Sequence, residues 1–243
     1  MDISYQALQV KQYDRDRYIC CLFASEEARA KLFTILSFNS EVAAILTQTS
    51  ELTPALIRIT WWQDAIDDLY NGKVSQHSLI QSLNLIIDKI PHKLIAHLMH
   101  ARMLELYQNP IHSIDELVVF AEETGANLLE IMALSLGIQD SERYRPLGIA
   151  WALLGNLRSP EYLRLEKLNK DIIKSIIGEI QKYLAMMDSK LFSKSTAAID
   201  LLYYLAKYYL RLIIKADYDI YSDKLKVNPV IKQLYLSYRY LML

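Results

Sequence analysis

Glycine and proline are scarce in this chain, at six residues each among 243. So few turn-formers argue against a many-turned β fold, and the alternating Val/Ile/Thr runs of half-buried strands are missing too. Cysteine is rarer still. Cys20 and Cys21 are the whole complement, and they are adjacent. Neighbouring cysteines do not suit disulfide geometry, and without spaced histidines they do not compose a zinc site. They read as small apolar residues of a reducing compartment. Neither sign of charge is in excess: 27 basic and 28 acidic side chains leave a formal net charge of −1. No basic field steers the chain towards phosphate backbones, so nucleic acid is not an expected partner. A glycine-rich phosphate loop and a Gly-x-Ser-x-Gly elbow are both absent, which leaves nucleophilic catalysis without a candidate. The opening "MDISYQALQVKQYDRDRY" has early acids and no apolar stretch of the signal-peptide kind, so a cytoplasmic location is expected. The greasiest run, "STAAIDLLYYLAKYYLRLIIKA", is interrupted by Asp200, Lys207 and Arg211 before it reaches the roughly 20 apolar residues of a membrane span.

What the chain does have is apolar residues at helical spacing. Hydrophobic residues make up 52% of it and charged residues 23%, the balance of a folded globular protein. The pattern predicts helices near 13–23, 26–48, 54–71, 76–89, 92–107, 113–137, 144–158, 169–187, 195–216 and 228–242. Ser25 is placed to cap the helix that opens with Glu26 and Glu27, whose charges suit its N-terminal dipole. Gly137 stands where "LLEIMALSLG" should stop. Pro110 and Pro160 disfavour helical backbone just before them. Short punctuation such as "NGKVS" and "QNPIHS", with no repeat or low-complexity linker, makes residues 1–243 one all-α domain of antiparallel neighbours.

The stretch "RITWWQDAIDDLY", Arg58 to Tyr70, raises the question of a metal. Asp64 and Asp68 stand four apart and share a helix face, as carboxylates that hold Mg²⁺ do. Yet Trp62, Ala65, Ile66 and Leu69 form one apolar stripe, and Asp64, Asp67, Asp68 and Asn71 fall opposite it. The acids therefore read as a solvated face, with a relocated metal cluster or an acidic patch for a protein partner as the alternatives. Trp61 and Trp62 read as packing anchors. Arg58 either points into a pocket or pairs with a nearby acid.

Three stretches, "YDRDRYICCLFASEEARAKLFTILSFNSEVAAI", "RITWWQDAIDDLYNGK" and "GIAWALLGNLRSPEY", occur in this order with "FAEETGANLLEIMALSLGI" between the last two. Together they resemble the squalene/phytoene synthase family over most of the chain. Within it, "FNSEVA" and "LRSPEY" resemble a divergent branch that includes mitochondrial complex I assembly factors and their bacterial relatives. The resemblance implies an all-α bundle of the isoprenoid synthase type around a central cavity. In active members, two helices each offer two carboxylates at i and i+4, and together they hold Mg²⁺ against a prenyl diphosphate. Mg²⁺ wants hard oxygen ligands, and its charge must offset the departing diphosphate.

By that resemblance the first acidic pair falls on Ala43 and Thr47, and the second on Ser159 and Leu163. None of the four is acidic. Arg158 matches the arginine of the second motif, and Glu105 stands where the family has an aspartate at the end of "HARMLELY". The cavity and ligand candidates are accordingly Arg158, Glu105, Gly125, Asn127 and Glu41. Arg158 retains a guanidinium suited to phosphate or carboxylate, or serves a structural salt bridge. Gly125 and Asn127 belong to "EETGANLL", where a mid-helix glycine costs about 1 kcal/mol and calls for close helix approach, a cavity wall of small residues, or both. His92, His97, His100 and His112 lack metal-site spacing and read as surface or helix-end residues. The tyrosine-rich "IDLLYYLAKYYLRLIIKADYDIY" carries Lys207, Arg211 and Lys215 on one edge. It reads as a core helix with a solvated edge, or as a contact with anionic lipid.

These expectations combine into a non-catalytic member of the family that acts as a binding or assembly factor. The branch resemblance implies respiratory complex I subunits or assembly intermediates as partners, with peripheral contact at the inner membrane and no cofactor. An active prenyl transferase using displaced acids (Glu41, Glu105, Glu122, Glu123 or Glu161), with Mg²⁺, is the alternative. An isoprenoid-binding module without turnover is a third. The vacated acids predict that purified protein incubated with Mg²⁺ and farnesyl or geranylgeranyl diphosphate yields no squalene, phytoene or presqualene product. Formation of any of these at enzymatic rates, followed by chromatography, would refute it.

Overall fold

Helix starts in this chain follow from short polar side chains that catch otherwise free backbone N–H groups. The computed structural model describes residues 4–49, 51–107, 109–160, 165 and 168–243. Ser4 accepts from the Ala7 N–H to open α1 (Tyr5–Tyr13), and Asp14 accepts from the Arg17 N–H to open α2 (Arg15–Cys21). The helix expected over 13–23 is α2, and α1 before it is an additional helix; Asp14 (φ −140°) leaves helical backbone to end one and cap the next. Ser25 caps α3 (Glu26–Gln48) as expected, and α4 spans Leu52–Tyr70. α5 (Ser78–Asn84) is shorter than expected and gives way to a 3₁₀ turn at Ile87–Lys89. α6 (His92–Leu106) follows Pro91. Ser113 caps α7 (Ile114–Ala121), while Glu116 reaches back to the His112 N–H at 2.9 Å. α8 spans Asn127–Ser135, α9 Arg145–Arg158, α10 Lys170–Ala185, α11 Ala197–Lys215 and α12 Pro229–Leu241. Among the described residues the single β pairing is an isolated bridge between Ile111 and Leu165.

The bundle is built around two central helices. α3 is packed by α1, α4, α5, α6 and α8. By length and composition α3 could cross a membrane, but more than half of that window is buried in the protein, which accounts for its apolarity. α9 is packed in turn by α7, α8, α10 and α11. One hydrophobic cluster runs through both, from Ala7 to Leu236. The stripe of α4 is buried as its spacing requires, with Phe38 edge-on to Trp62 at 5.4 Å, while Asp64, Asp67 and Asp68 are exposed. Trp61 departs from the expectation: it is 44% exposed. Consecutive helical residues sit about 100° apart, so both tryptophans cannot face one core.

The helix expected over 113–137 is interrupted. Glu122–Ala126 forms a π-helical turn between α7 and α8. Its cause is visible at Gly125, which lies against Gly148 of α9. A Cβ on either glycine would stand 2.3 Å from the other's carbonyl oxygen. The wider turn leaves backbone acceptors open, and side chains use them: Thr124 Oγ1 donates to the Phe120 carbonyl at 2.7 Å, and Asn127 Nδ2 to the Glu123 carbonyl at 2.8 Å. α8 ends where expected. Gly137 takes φ +80°, and the N–H groups of Gly137 and Ile138 bond back to the carbonyls of Leu134 and Ala133, a Schellman stop.

The reciprocal glycine contact predicts that Gly148→Ala destabilises the fold by about 3 kcal/mol in urea denaturation, because the new Cβ meets backbone that cannot yield. Gly178→Ala in α10, where nothing lies within 4 Å, should instead be neutral or stabilise by up to about 1 kcal/mol. Equal losses at the two positions would contradict the packing argument.

Candidate functional site

Asp16 lies in the first turn of α2, where a carboxylate suits the helix dipole, yet it faces inward and is only 6% exposed. A buried charge requires partners, and three elements supply them. Arg158 at the end of α9 approaches at 2.8 Å, the Tyr209 hydroxyl of α11 donates at 2.9 Å, and Lys232 of α12 donates to the other oxygen. The Arg158 guanidinium also lies over the Tyr209 ring, 3.7 Å from its centroid. Burial works to raise the Asp16 pKa, but the charges of Arg158 and Lys232 and the hydrogen bonds from Lys232 and Tyr209 overcome it, leaving the carboxyl below its ordinary value. Burial, reinforced by Asp16, pushes the Tyr209 phenol well up, so it remains a donor. Cys20 and Cys21 are both buried free thiols, and burial raises both, which suits an inert packing role.

The positions singled out by the family resemblance are now placed. Ala43 is half-buried, and Thr47 is exposed with its hydroxyl donating to the Ala44 carbonyl at 3.1 Å. Ser159 ends α9. Leu163 and Glu161 lie outside the described residues. Arg158 forms a salt bridge with Asp16. Glu105 pairs with Arg102 at 2.6 Å. Glu122 and the buried Glu130 both hold Arg145, at 3.3 and 2.7 Å, and Glu123 stands 3.6 Å from His97. Asn127 is 1% exposed and accepts from Arg145 at 2.9 Å, and Gly125 is spent on the contact with α9. Among the described residues, no three His, Cys, Asp or Glu side chains converge as a metal site. On the outer face of α4, Asp67 meets His92 at 2.7 Å and Asp68 meets Lys73 at 3.1 Å. His97, His100 and His112 are exposed, as their spacing suggested.

Glu41 has a different setting. It lines a cavity of about 380 Å³ together with Tyr5 and Tyr13 of α1, Ala44 of α3, Arg58 of α4 and His77. Burial raises its pKa above the usual carboxylate value, against the opposing charges of His77 and Arg58. Arg58 is held by Gln48 at 3.2 Å and Thr49 at 3.3 Å, which settles its role as a cavity wall. His77 packs edge-on against both the Trp61 and Trp62 rings, at 5.4 and 5.3 Å, and its buried Nδ1 has no partner among the described residues. The cavity can offer a carboxyl, a guanidinium, an imidazole and two phenols to a small polar group.

Spacing did not point to Asp16, Tyr209, Lys232 or His77. The available signal for Asp16 was local: a second acid follows the capping Asp14 in "YDRDRY", and the amphipathic pattern turns that acid inward.

The helix order, the two central helices and the α9 terminus define a protein of the all-α isoprenoid synthase fold. A dehydrosqualene synthase structure matches at a TM-score of 0.81 with 12% identity, covering 98% of this chain and 95% of that one. A squalene synthase from Alicyclobacillus acidocaldarius matches at 0.75 with 9% identity, covering 88% and 93%. At the sequence level the squalene/phytoene synthase profile matches residues 10–169, well over half of the chain, and the chain belongs to that family. Among its relatives is the human NADH dehydrogenase (ubiquinone) complex I assembly factor 6, 22% identical over 262 residues, covering 93% of this chain and 78% of that protein. The bovine counterpart is 27% identical over 133 residues, covering 54% of this chain and 40% of its own length.

Asp16 ties stability to pH. Its folded pKa is below its unfolded one, so its contribution is complete above the ordinary carboxylate pKa and disappears as pH falls through the lowered value. Asp16→Asn strands Arg158 and Lys232 and should cost about 3 kcal/mol at neutral pH. Urea melts should also show the variant losing less stability than the parent on acidification below about pH 4. Parallel pH profiles would refute the assignment.

Proposed function

We propose that this chain is a non-catalytic member of the squalene/phytoene synthase family that serves respiratory complex I assembly, working peripherally at a membrane. The observation that carries the first half is the fate of Arg158. At the place where the family pairs an arginine with metal-binding acids, this chain has Ser159 beside it and commits the guanidinium to Asp16 and Tyr209. Ala43 has no ligand atom to offer, and the Thr47 hydroxyl is bonded within its own helix. These residues do not fit a Mg²⁺–diphosphate site, whose chemistry needs several hard anionic oxygens at once. The displaced-acid alternative lacks support among the described residues, because Glu105, Glu122 and Glu123 each face a cation or histidine of their own and Glu41 lies in a separate cavity.

The second half is supported by the relatives, whose names state complex I assembly. A scaffold that keeps its fold while its catalytic acids are replaced is free to present surfaces to another protein. Deleting the gene should lower the amount and NADH-oxidising activity of complex I on native gels while other respiratory complexes persist. Complex I at the parental level and activity would overturn the assignment.

A further inference from the structure

The C-terminal helix α12 is amphipathic in the reverse sense. Lys232 and Leu236 are its buried residues, and the side opposite them carries Val230, Leu234, Tyr238 and Leu241 at helical spacing. These are not grazed by solvent but open to it: Val230 is 64% exposed, Leu234 66% and Leu241 71%. Ile231 and Met242 widen the same arc. A soluble helix normally turns such a stripe to the core, so an outward one marks a contact surface.

Its charge setting points to the partner. From Lys224 to Leu243 the chain has four basic residues and no acid; Lys232 is turned inward to Asp16 and Lys226 pairs with Asp223 at 2.7 Å, which leaves Lys224 and Arg239. On the neighbouring helix α11, Lys207, Arg211 and Lys215 repeat every four residues, and among the described residues none of them meets a carboxylate within ion-pair distance. Tyr208, one turn from Arg211, packs on Tyr235 of α12 with ring centroids 5.1 Å apart, and Tyr235 borders the apolar arc. The basic edge and the apolar arc are therefore joined through this tyrosine seam. Beside the basic edge, a groove of about 290 Å³ between α10 and α11 is lined by Leu184, Leu210 and Ile214 together with Lys207 and Arg211.

We propose that the outer face of α12 and the basic edge of α11 form a docking surface for an anionic lipid bilayer. Leu234 and Leu241 enter the acyl boundary, Tyr238 sits at headgroup depth, and Lys207, Arg211, Lys215 and Lys224 meet lipid phosphates. A second copy of this chain fits the surface less well. A two-fold contact sets a patch against itself, which here brings unpaired cations face to face. The proposal stands on surface chemistry and specifies the membrane contact of the function above without depending on its complex I role.

Sedimentation of the full-length chain with phosphatidylcholine vesicles, with and without phosphatidylglycerol, tests it. The chain should pellet with the anionic vesicles at least about tenfold more tightly than with neutral ones, and added salt should weaken the binding. Leu234→Ser with Leu241→Ser, both on the exposed face, should lower anionic-vesicle affinity about tenfold while leaving the thermal melt unchanged. Lys207→Gln, Arg211→Gln and Lys215→Gln together should abolish the preference for anionic lipid. Equal affinity for both vesicle types would overturn the proposal, as would binding indifferent to either set of substitutions. Absence of pelleting alongside a dimer that the serine pair dissociates would assign the face to self-association instead. A loss of complex I in the deletion strain with no vesicle binding would sink this inference alone, and vesicle binding with intact complex I would sink only the assembly role.

Discussion

One carboxylate holds together parts of the chain that are far apart in sequence. Asp16 is buried between Arg158, Tyr209 and Lys232, and so connects the second helix with the ninth, eleventh and twelfth. Removing Asp16 would leave Arg158 and Lys232 without their counter-charge in an apolar surround, which costs more than the pairs themselves contribute. The N-terminal and C-terminal segments are therefore closed onto the bundle by electrostatics as well as by packing. The same contact holds the end of α9, where the family's catalytic machinery would demand an arginine free to meet a ligand.

Two packing schemes supply the remainder of the fold. Around α3 the core is filled by large aliphatic and aromatic side chains, including Phe38 and Trp62. Around α9 the decisive contact is between glycines, which lets two backbones approach until only missing Cβ atoms allow it. Glu105, Glu122, Glu123 and the buried Glu130 are distributed over local partners, Arg102, Arg145 and His97, and act as separate clasps on the bundle.

Much of this was legible before any coordinates. The Ser25 cap, the Gly137 stop and the buried stripe of α4 are local features, written within one or two helical turns, and periodicity carries such information well. The helix before Asp14 was less visible, because α1 is short and only Ala7 and Val10 of it are buried, too few to set a clear period. The partnership of Asp16 with Lys232 spans 216 positions and no spacing rule encodes it. Trp61 illustrates a third limit: two adjacent large aromatics look equally apolar, and helix geometry decides which one faces solvent. The pairing of Arg158 with Asp16 likewise became clear only from its neighbours in space.

The π turn at Glu122–Ala126 has a consequence for how the gene can change length. A turn of this kind accommodates one residue more than a straight helix would use between the same two anchors. Dropping a single codon there would let α7 and α8 run on as one regular helix between those same anchors. Leu128, Ile131 and Met132 would keep their buried side and Glu130 its reach to Arg145, while the Gly125–Gly148 contact would have to be remade. The segment thus behaves as a frozen insertion: a one-residue loss within it is absorbed by the turn, whereas the same loss in α7 or α8 would rotate every residue beyond it by about 100°.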